Sequence, residues 1–244
     1  MTELRGRARR GSLETRSPLI GLIGPIGCGK STIAGWLADR GAAVVDADRL
    51  TRELMAPGAP VTEAVIARFG GEFRRFDGSL DRTALGRLVF ADQDLLADLE
   101  SIVHPAVARL MPDAIRAADA TRPVAVVLEA IKLVEGGSAP WCDEIWLVVC
   151  DPEAELARLT GRGMTVADAR QRMEAQEISS PLWRSAATRV LHTDGSLEEG
   201  ERAVDAALRE TLTDAVERPP DAAKPTPAPA DQPEIRRRAR RIHG

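Results

Sequence analysis

A glycine-rich segment, GPIGCGKST at positions 24–32, constrains the fold of this chain more than any other feature. Gly24, four further residues and then Gly29, Lys30 and Ser31 match the pattern G-x-x-x-x-G-K-[ST] of a phosphate-binding loop. An apolar segment, PLIGLIG (18–24), precedes the loop, and an amphipathic segment, TIAGWLADRG, follows Ser31. A strand, a glycine-rich turn and a helix in this order predict an α/β fold that binds a nucleoside triphosphate.

The residue types in this loop suit the binding of phosphates. Glycines at 24, 27 and 29 let the backbone turn tightly, so that its N–H groups and the start of the next helix face an anion. Lys30 is expected to reach the β- and γ-phosphates of ATP, and the Ser31 hydroxyl is expected to bind Mg²⁺. A G-x-G-x-x-G pattern started at Gly27 would end on Thr32, which excludes a dinucleotide-binding loop. The predicted nucleotide-binding residues are Gly24, Pro25, Ile26, Gly27, Cys28, Gly29, Lys30, Ser31 and Thr32.

Short apolar runs alternate with helical patterns between residues 17 and 215, which predicts a parallel sheet flanked by helices. The region 50–122 has no convincing strand pattern, so we expect a helical insertion there that binds the phosphate acceptor. Strands are predicted at 18–24, 42–47, 124–130, 144–150 and 188–193. Helices are predicted at 30–40, 60–69, 82–90, 92–119 with a break near Pro105, 152–162, 165–177 and 197–213.

Composition excludes several classes of protein. Of the 244 residues 44% are hydrophobic and 29% are charged, and the formal net charge is -4, which excludes a fully disordered chain and a multi-span membrane protein. No apolar run approaches the ~20 residues of a spanning helix, and residues 1–17 lack the apolar segment of a secretory signal. We therefore expect a cytoplasmic protein. Tyrosine is absent and aromatic residues total 3%, which argues against nucleic-acid binding by the folded part.

The two ends of the chain differ in composition from the middle. Residues 1–17 are basic and expected to be flexible, and residues 214–244 are expected to form a disordered Pro/Ala-rich linker and an Arg-rich tail. Six prolines lie within 219–233, and five arginines lie within 236–241. Two interpretations of the tail stay open: a solvated end without a partner, or contact with nucleic acid, an anionic surface or the acidic body of the protein.

The three cysteines, Cys28, Cys142 and Cys150, show no C-x-x-C spacing, so the sequence predicts neither a disulfide framework nor a zinc site. Cys28 lies inside the glycine-rich loop. It is interpreted either as a small filler residue or as a redox-sensitive thiol near a helix N-terminus.

The second predicted strand ends in VVDADR (44–49), which places Asp46 and Asp48 where open α/β sheets bind ligands. Spaced two apart, the carboxylates share a side if the strand geometry persists, and one of them can accept a proton from an acceptor hydroxyl or hold magnesium through water. The alternative is that the segment only caps the next helix. No N-K-x-D or D-x-x-G motif is present, so a GTPase is not favoured.

Several longer segments together resemble the dephospho-coenzyme A kinase family across roughly residues 18–213. They are LIGLIGPIGCGKST, VVDADRLTRELMAPGAP (44–60), FGGEFRRFDGSLDRTALGRLVF (69–90), LESIVHP (99–105) and RLTGRGMTVADARQRMEAQ (158–176). The resemblance implies a P-loop kinase with a five-stranded parallel sheet, a helical acceptor lobe at 50–122 and a lid at 152–177. Such enzymes transfer the γ-phosphoryl group of ATP to the ribose 3′-hydroxyl of dephospho-coenzyme A, the last step of coenzyme A synthesis.

The same resemblance implies roles for individual residues. Asp48 matches the proposed catalytic base, and Asp46 matches its companion at the substrate. Arg82 and His104 match acceptor-lobe positions, although a His-Pro pair at a helix break is more often structural. Arg158 and Arg162 match the lid, with Arg162 expected to be catalytic and Arg158 expected to bind nucleotide; the alternative for both is an exposed helix charge. Gln176 closes the R-x-x-x-Q pattern of the family, and we expect a structural role for it.

The chain departs from the family pattern at three places. EAIKLVE (129–135) replaces D-x-P-L-L-F-E, and its Lys132 contacts either ligand or solvent. Glu155 replaces a glutamine, and Thr193 replaces an asparagine on the adenine side. Two other functions stay open: a P-loop kinase for another hydroxyl acceptor, such as a nucleoside or small metabolite, and a non-catalytic nucleotide-binding module. The sequence does not indicate an oligomeric state.

Overall fold

The structure, a computed structural model, describes residues 16–217. Its centre is a parallel five-stranded sheet with the order β2-β3-β1-β4-β5. The strands are β1 (Leu19–Ile23), β2 (Ala43–Asp46), β3 (Val126–Glu129), β4 (Glu144–Val149) and β5 (Arg189–His192). All five predicted strands are therefore confirmed, each within two residues of its expected ends.

The central strand β1 is apolar throughout because both of its faces are covered. Every residue of LIGLI is buried, and β1 pairs with β3 on one side and β4 on the other. Gly21 is required by this packing, since a Cβ there would lie 2.5 Å from Leu133 Cδ2 and 2.8 Å from Cys142 Sγ. The phosphate loop that follows β1 is thus mounted on the most buried strand of the sheet.

Nine α-helices surround the sheet within residues 16–217: α1 (Lys30–Asp39), α2 (Ala47–Leu54), α3 (Pro60–Phe69), α4 (Arg82–Phe90), α5 (Gln93–Asp119), α6 (Pro152–Gly161), α7 (Val166–Glu177), α8 (Ser180–Ala186) and α9 (Leu197–Glu217). Short 3₁₀ turns lie at Gly71–Phe73 and Ala139–Trp141. The helical character of the insertion is confirmed. Two helices were not predicted, since α2 has few apolar positions to mark its period and α8 has only seven residues.

The expected break of α5 near Pro105 is wrong. The helix runs through both Pro105 and Pro112 without interruption. Val103, Val107 and Met111 lie on its buried face and belong to the main apolar cluster beside the sheet. A proline removes one backbone hydrogen bond, and here the packing of a long apolar face outweighs that loss.

The helices form a layer on each side of the sheet. On one face Ile33 and Leu37 of α1 pack with Val204 and Leu208 of α9 against buried strand residues such as Trp146. On the other face the insertion helices and Trp183 of α8 form the larger cluster. This layered arrangement leaves the carboxyl ends of the strands, where the phosphate loop begins, as the open edge of the fold.

The folded part of the chain extends into both predicted terminal segments, 1–17 and 214–244. Arg16 makes two 2.7 Å hydrogen bonds to the Asp143 carboxylate, and the Ser17 N–H donates to Asp119 at 2.8 Å, so the predicted flexible segment does not reach residue 17. At the other end α9 continues to Glu217, so residues 214–217 are helix and not linker. The rest of the basic N-terminus, the Pro-rich segment and the Arg-rich tail lie outside the described residues. Among the described helices, none combines the length and the apolar character needed to cross a membrane.

Candidate active site

The phosphate loop leaves β1 in a conformation that only glycine accommodates well. Gly24 has φ 140°, and a Cβ there would lie 2.1 Å from the Val148 carbonyl oxygen of the neighbouring strand β4. Gly27 and Gly29 also have positive φ, and Gly29 is the N-cap residue of α1. The loop therefore wraps closely over the sheet edge and delivers the start of α1 to the site, as the motif predicts.

Side chains from distant elements hold the loop backbone in place. The Ile26 N–H donates to Gln176 Oε1 of α7 at 2.8 Å, and the Thr193 hydroxyl, just after β5, donates to the Cys28 carbonyl at 2.9 Å. Arg158 of α6 in turn donates to Thr193 Oγ1 at 3.0 Å and to the Thr193 carbonyl at 2.5 Å. Thr193 and Gln176 are thus positioning residues for the loop. A structural role was expected for Gln176, whereas the sequence did not indicate this role for Thr193.

Lys30 lies beneath the loop with 7% of its surface exposed. Its ammonium donates to the carbonyls of Gly24 and Pro25, both at 2.8 Å. Burial lowers the pKa of Lys30 to about 8, although the carboxylates of Glu129, Asp48 and Glu155 oppose the shift; the positive charge of Arg162 adds to it. Asp48 from α2 and Arg162 from the end of α6 therefore both act on the same ammonium group.

Ser31 faces a carboxylate that sequence reasoning did not assign. Its hydroxyl donates to Glu129 Oε1 at 2.9 Å, and Glu129 is the last residue of β3, next to β1. Partial burial raises the pKa of Glu129, and the charges of Asp46 and Asp48 raise it further. Repulsion among these carboxylates favours a bound cation, and a hydroxyl with carboxylates is the oxygen donor set that Mg²⁺ prefers. A carboxylate ending the strand beside the phosphate loop was the signal that could have identified Glu129.

The two carboxylates of the DAD segment have different environments. The chain turns into α2 at Ala47, so strand geometry does not persist and Asp46 does not share a strand face with Asp48. Asp46 caps α2 by accepting the Arg49 N–H at 3.0 Å, and it pairs with Arg52 at 3.4 Å. Asp46 therefore does cap α2, and its predicted role at the substrate stays a prediction. Asp48 lies exposed in the first turn of α2, where its charge acts on Lys30 and Glu129.

The acceptor-lobe candidates lie on α4 and α5. Arg82, exposed at the start of α4, donates to the Arg52 carbonyl at 3.1 Å, which links it indirectly to Asp46. His104 lies within α5, and partial burial lowers the pKa of its imidazole although the ring keeps contact with solvent. No hydrogen bond or ion pair within residues 16–217 joins His104 to the phosphate loop.

Lys132, left open between ligand and solvent, pairs with Glu100 of α5 beside His104. The ion pair connects the segment after β3 to the acceptor lobe. The departure at EAIKLVE therefore contributes a contact between the two parts of the site.

The expectation that the cysteines form no disulfide is wrong. Cys28 of the phosphate loop forms a disulfide with Cys150, the residue after β4. The spacing of 122 residues gave no indication of a pair, because only the fold brings the end of β4 next to the loop. Cys28 is therefore more than a small filler residue.

Comparison with known proteins agrees with this geometry. Residues 18–199 match the family model described as dephospho-CoA kinase. The dephospho-CoA kinase of Geobacter metallireducens is 43% identical over 197 residues, which cover 80% of this chain and 96% of that one. The dephospho-CoA kinase of Streptomyces avermitilis is 45% identical over 187 residues, which cover 76% and 89%.

Solved structures show the same fold. A crystal structure of a Thermus thermophilus protein superimposes with a TM-score of 0.66 at 36% identity and covers 80% of this chain and 98% of that one. A shikimate kinase from Acinetobacter baumannii, at a TM-score of 0.50 and 15% identity, covers 81% and 94% and shares the P-loop kinase fold alone. Together with the phosphate loop and the buried Lys30, the extent of these matches shows that the chain belongs to the dephospho-CoA kinase family.

Proposed function

We propose that this kinase transfers the γ-phosphoryl group of ATP to the ribose 3′-hydroxyl of dephospho-coenzyme A. The observation that supports the proposal is the phosphate loop at the open edge of the sheet, with Lys30 buried and held by the loop carbonyls. Asp48 and Arg162, from two other elements, are near enough for their charges to influence the pKa of Lys30. A nucleotide-binding module without activity does not require a carboxylate and a second cation near the phosphate-binding lysine. Membership of the dephospho-CoA kinase family is the reason for proposing dephospho-coenzyme A as the acceptor.

On the nucleotide side, the loop N–H groups and the start of α1 bind the phosphates, and the Lys30 ammonium neutralises the charge of the transferred group. Because Lys30 is already held by the carbonyls of Gly24 and Pro25, little reorganisation is needed when phosphate arrives. Phosphoryl transfer through a loose transition state depends mainly on such positioning and charge stabilisation.

On the acceptor side, Asp48 accepts the proton of the 3′-hydroxyl as the oxygen attacks the γ-phosphorus in line. Its exposure in the first turn of α2 leaves it accessible to a substrate hydroxyl. The insertion at 50–122 forms the acceptor lobe, in which Arg82 and His104 contact the substrate. The Glu100–Lys132 pair keeps α5 beside the segment after β3.

Ser31, Glu129 and Asp46 are the residues that would hold Mg²⁺ with ATP. The ion supplies electrostatic stabilisation to the phosphates during transfer. Ser31 would offer its hydroxyl to the ion, and the carboxylates of Glu129 and Asp46 would balance its charge.

Helices α6 and α7, within 152–177, act as the lid. Arg162, exposed at the end of α6, stabilises the charge that develops on the γ-phosphoryl group. The hydrogen bonds of Arg158 to Thr193 support a role in positioning the loop, and its contact with the nucleotide stays a prediction.

The test is ADP release measured with ATP and, separately, dephospho-coenzyme A, nucleosides, shikimate or no acceptor. We expect release with dephospho-coenzyme A to exceed every other condition by at least about 100-fold, with a product phosphorylated at the 3′ position by mass spectrometry and NMR. Faster release with a nucleoside would assign another acceptor. Tight ATP binding without ADP release under any condition would leave a binding module.

A further inference from the structure

The Cys28–Cys150 disulfide joins two parts of the nucleotide site that the chain separates by 122 residues. Cys28 is fully buried within the phosphate loop, and its Cα lies 5.2 Å from that of Cys150. Cys150 directly precedes Asp151, the N-cap residue of α6, the helix that carries Arg158 and leads to Arg162. The disulfide therefore ties the phosphate loop to the base of the lid.

The surroundings of Cys28 leave little room for two separate thiols. Cys28 Sγ lies 3.9 Å from Glu155 Oε2, and a Cβ on Gly27 would lie 3.2 Å from Leu159 and 3.3 Å from Glu155. Unbonded sulfurs cannot approach as closely as bonded ones, so after reduction the two cysteine side chains must rotate apart within this close packing, or the loop or α6 must move.

The Glu155 carboxylate lies next to Cys28, so its contacts depend on whether Cys28 is bonded to Cys150 or is a free thiol. The residue is 6% exposed, and its Oε1 is buried without a hydrogen-bond partner among the described residues. A disulfide sulfur cannot donate a hydrogen bond, whereas a Cys28 thiol can donate to Glu155. Reduction therefore replaces the covalent link to Cys150 with a hydrogen bond to Glu155 of α6.

We propose that Cys28 and Cys150 form a reversible redox site, in which the disulfide holds the phosphate loop ready for ATP and reduction to two thiols weakens ATP binding. The inference rests on the proposed use of ATP at this loop. Apart from the two hydrogen bonds that Lys30 donates to the loop carbonyls, the other side-chain contacts on the loop backbone are single hydrogen bonds: one accepted by Gln176 and one each donated by Thr193 and Arg158. Loss of the covalent link leaves a looser loop, which must lose more conformational freedom when the phosphates bind.

The chemistry is thiol–disulfide exchange with a low-molecular-weight disulfide as the oxidant. Cys150 is the more exposed of the two residues, so its thiolate attacks the small disulfide, forms a mixed disulfide and releases one small thiolate. The Cys28 thiolate then attacks the Cys150 sulfur and releases the second small thiolate. Two protons pass to water. A dithiol reverses both steps and restores the two thiols.

The experiment compares the full chain after treatment with dithiothreitol and after treatment with glutathione disulfide. Intact mass and peptide mapping follow the Cys28–Cys150 link, calorimetry measures ATP binding, and thermal unfolding provides a readout independent of ATP. We expect the Kd for ATP to be about three- to tenfold higher in the reduced protein, and the Tm to be about 5–15 °C lower.

Cys150→Ala removes the link without altering the phosphate loop, and Cys142→Ala is the control. Cys150→Ala is expected to bind ATP like the reduced wild type under both treatments, and Cys142→Ala is expected to keep the redox response. If Cys150→Ala does not fold, the two wild-type forms still decide the question.

Equal ATP affinity in verified reduced and oxidised wild type would overturn the inference, as would tighter binding after reduction or a pairing that involves Cys142. A redox response that persists in Cys150→Ala would also overturn it. Absence of ATP binding in both forms would instead contradict the proposed function.

Discussion

The nucleotide side and the acceptor side of this site are built differently. On the nucleotide side Lys30 is buried, Gly24 packs against β4, and side chains from α6, α7 and the segment after β5 hold the loop. On the acceptor side Asp48, Arg82 and His104 are exposed on three helices of the insertion or its border.

The difference has a physical basis. Phosphates require several N–H groups and a charge at fixed positions, and such an arrangement is effective only if it is organised before the ligand binds. An acceptor site can be completed by the substrate itself when it binds. Changes on the nucleotide side should therefore affect stability and activity together, whereas changes on the acceptor side should affect activity alone.

Asp48→Asn tests the acceptor side most severely. The change keeps the shape of the side chain and removes the base, so kcat should fall by about 10²–10⁴. Because Asp48 is exposed, the Tm and the Kd for ATP should stay nearly constant. Steady-state kinetics and calorimetry measure these quantities. The comparison variant is Asp46→Asn, in which asparagine still caps α2 but a carboxylate that would hold Mg²⁺ is lost; its defect should ease with excess Mg²⁺, whereas that of Asp48→Asn should not. Full turnover by Asp48→Asn would remove Asp48 from this role.

Gly24→Ala tests the nucleotide side. The new Cβ would meet the Val148 carbonyl, and φ 140° is unfavourable for alanine, so we expect a loss of at least about 3 kcal/mol and a Tm lower by about 6–12 °C. Gly58→Ala on the acceptor side is the control. It has positive φ but nothing within 4 Å, so about 1 kcal/mol is expected. Equal losses in thermal unfolding would contradict the close fit of the loop to β4.

The charge of Lys30 should affect activity and stability in opposite ways as the pH rises. Because burial lowers its pKa to about 8, the ammonium is lost above that pH, and kcat/KM for ATP should fall by up to tenfold per unit. Stability should change in the opposite direction. Between about 8 and the ordinary value of 10.5 the unfolded chain binds more protons, so the free energy of unfolding should rise with pH.

Lys30→Arg is the control for that profile, since a guanidinium keeps its charge throughout the range. Its activity should be lower, but the fall above pH 8 should disappear. An unchanged alkaline limb in Lys30→Arg would assign the limb to another group.

Arg82→Ala is expected to have the smallest effect. Arg82 is exposed and its hydrogen bond reaches only the Arg52 carbonyl, so the Tm should change by less than about 2 °C. The KM for dephospho-coenzyme A should rise about three- to tenfold, with the KM for ATP unchanged. Arg87→Ala, on the same helix and also exposed, should leave both KM values unaltered. A rise in the KM for ATP instead would place Arg82 on the nucleotide side.

Features with a local cause were predictable from the sequence. Nearly continuous apolar runs identified most of the strands, and a weaker pattern identified β5. The glycine-rich segment between an apolar run and an amphipathic helix identified the phosphate loop and α1. The family resemblance and the P-loop kinase fold are confirmed. The roles of Asp48, Arg82, His104 and Arg162 stay predictions, because they concern contacts with substrates.

Features that depend on distant parts of the chain required the tertiary structure. Pro105 was expected to break a helix, but the packing of the apolar face of α5 against the sheet keeps the helix continuous. Asp46 and Asp48 were expected to lie on one side of a strand, but the chain turns into α2 between them. The partnership of Ser31 with Glu129 and the disulfide between Cys28 and Cys150 join residues about 100 positions apart or more. A sequence records the propensity of each segment, whereas strand order decides which carboxylate, thiol or amide meets the phosphate loop, since only packing brings those segments together.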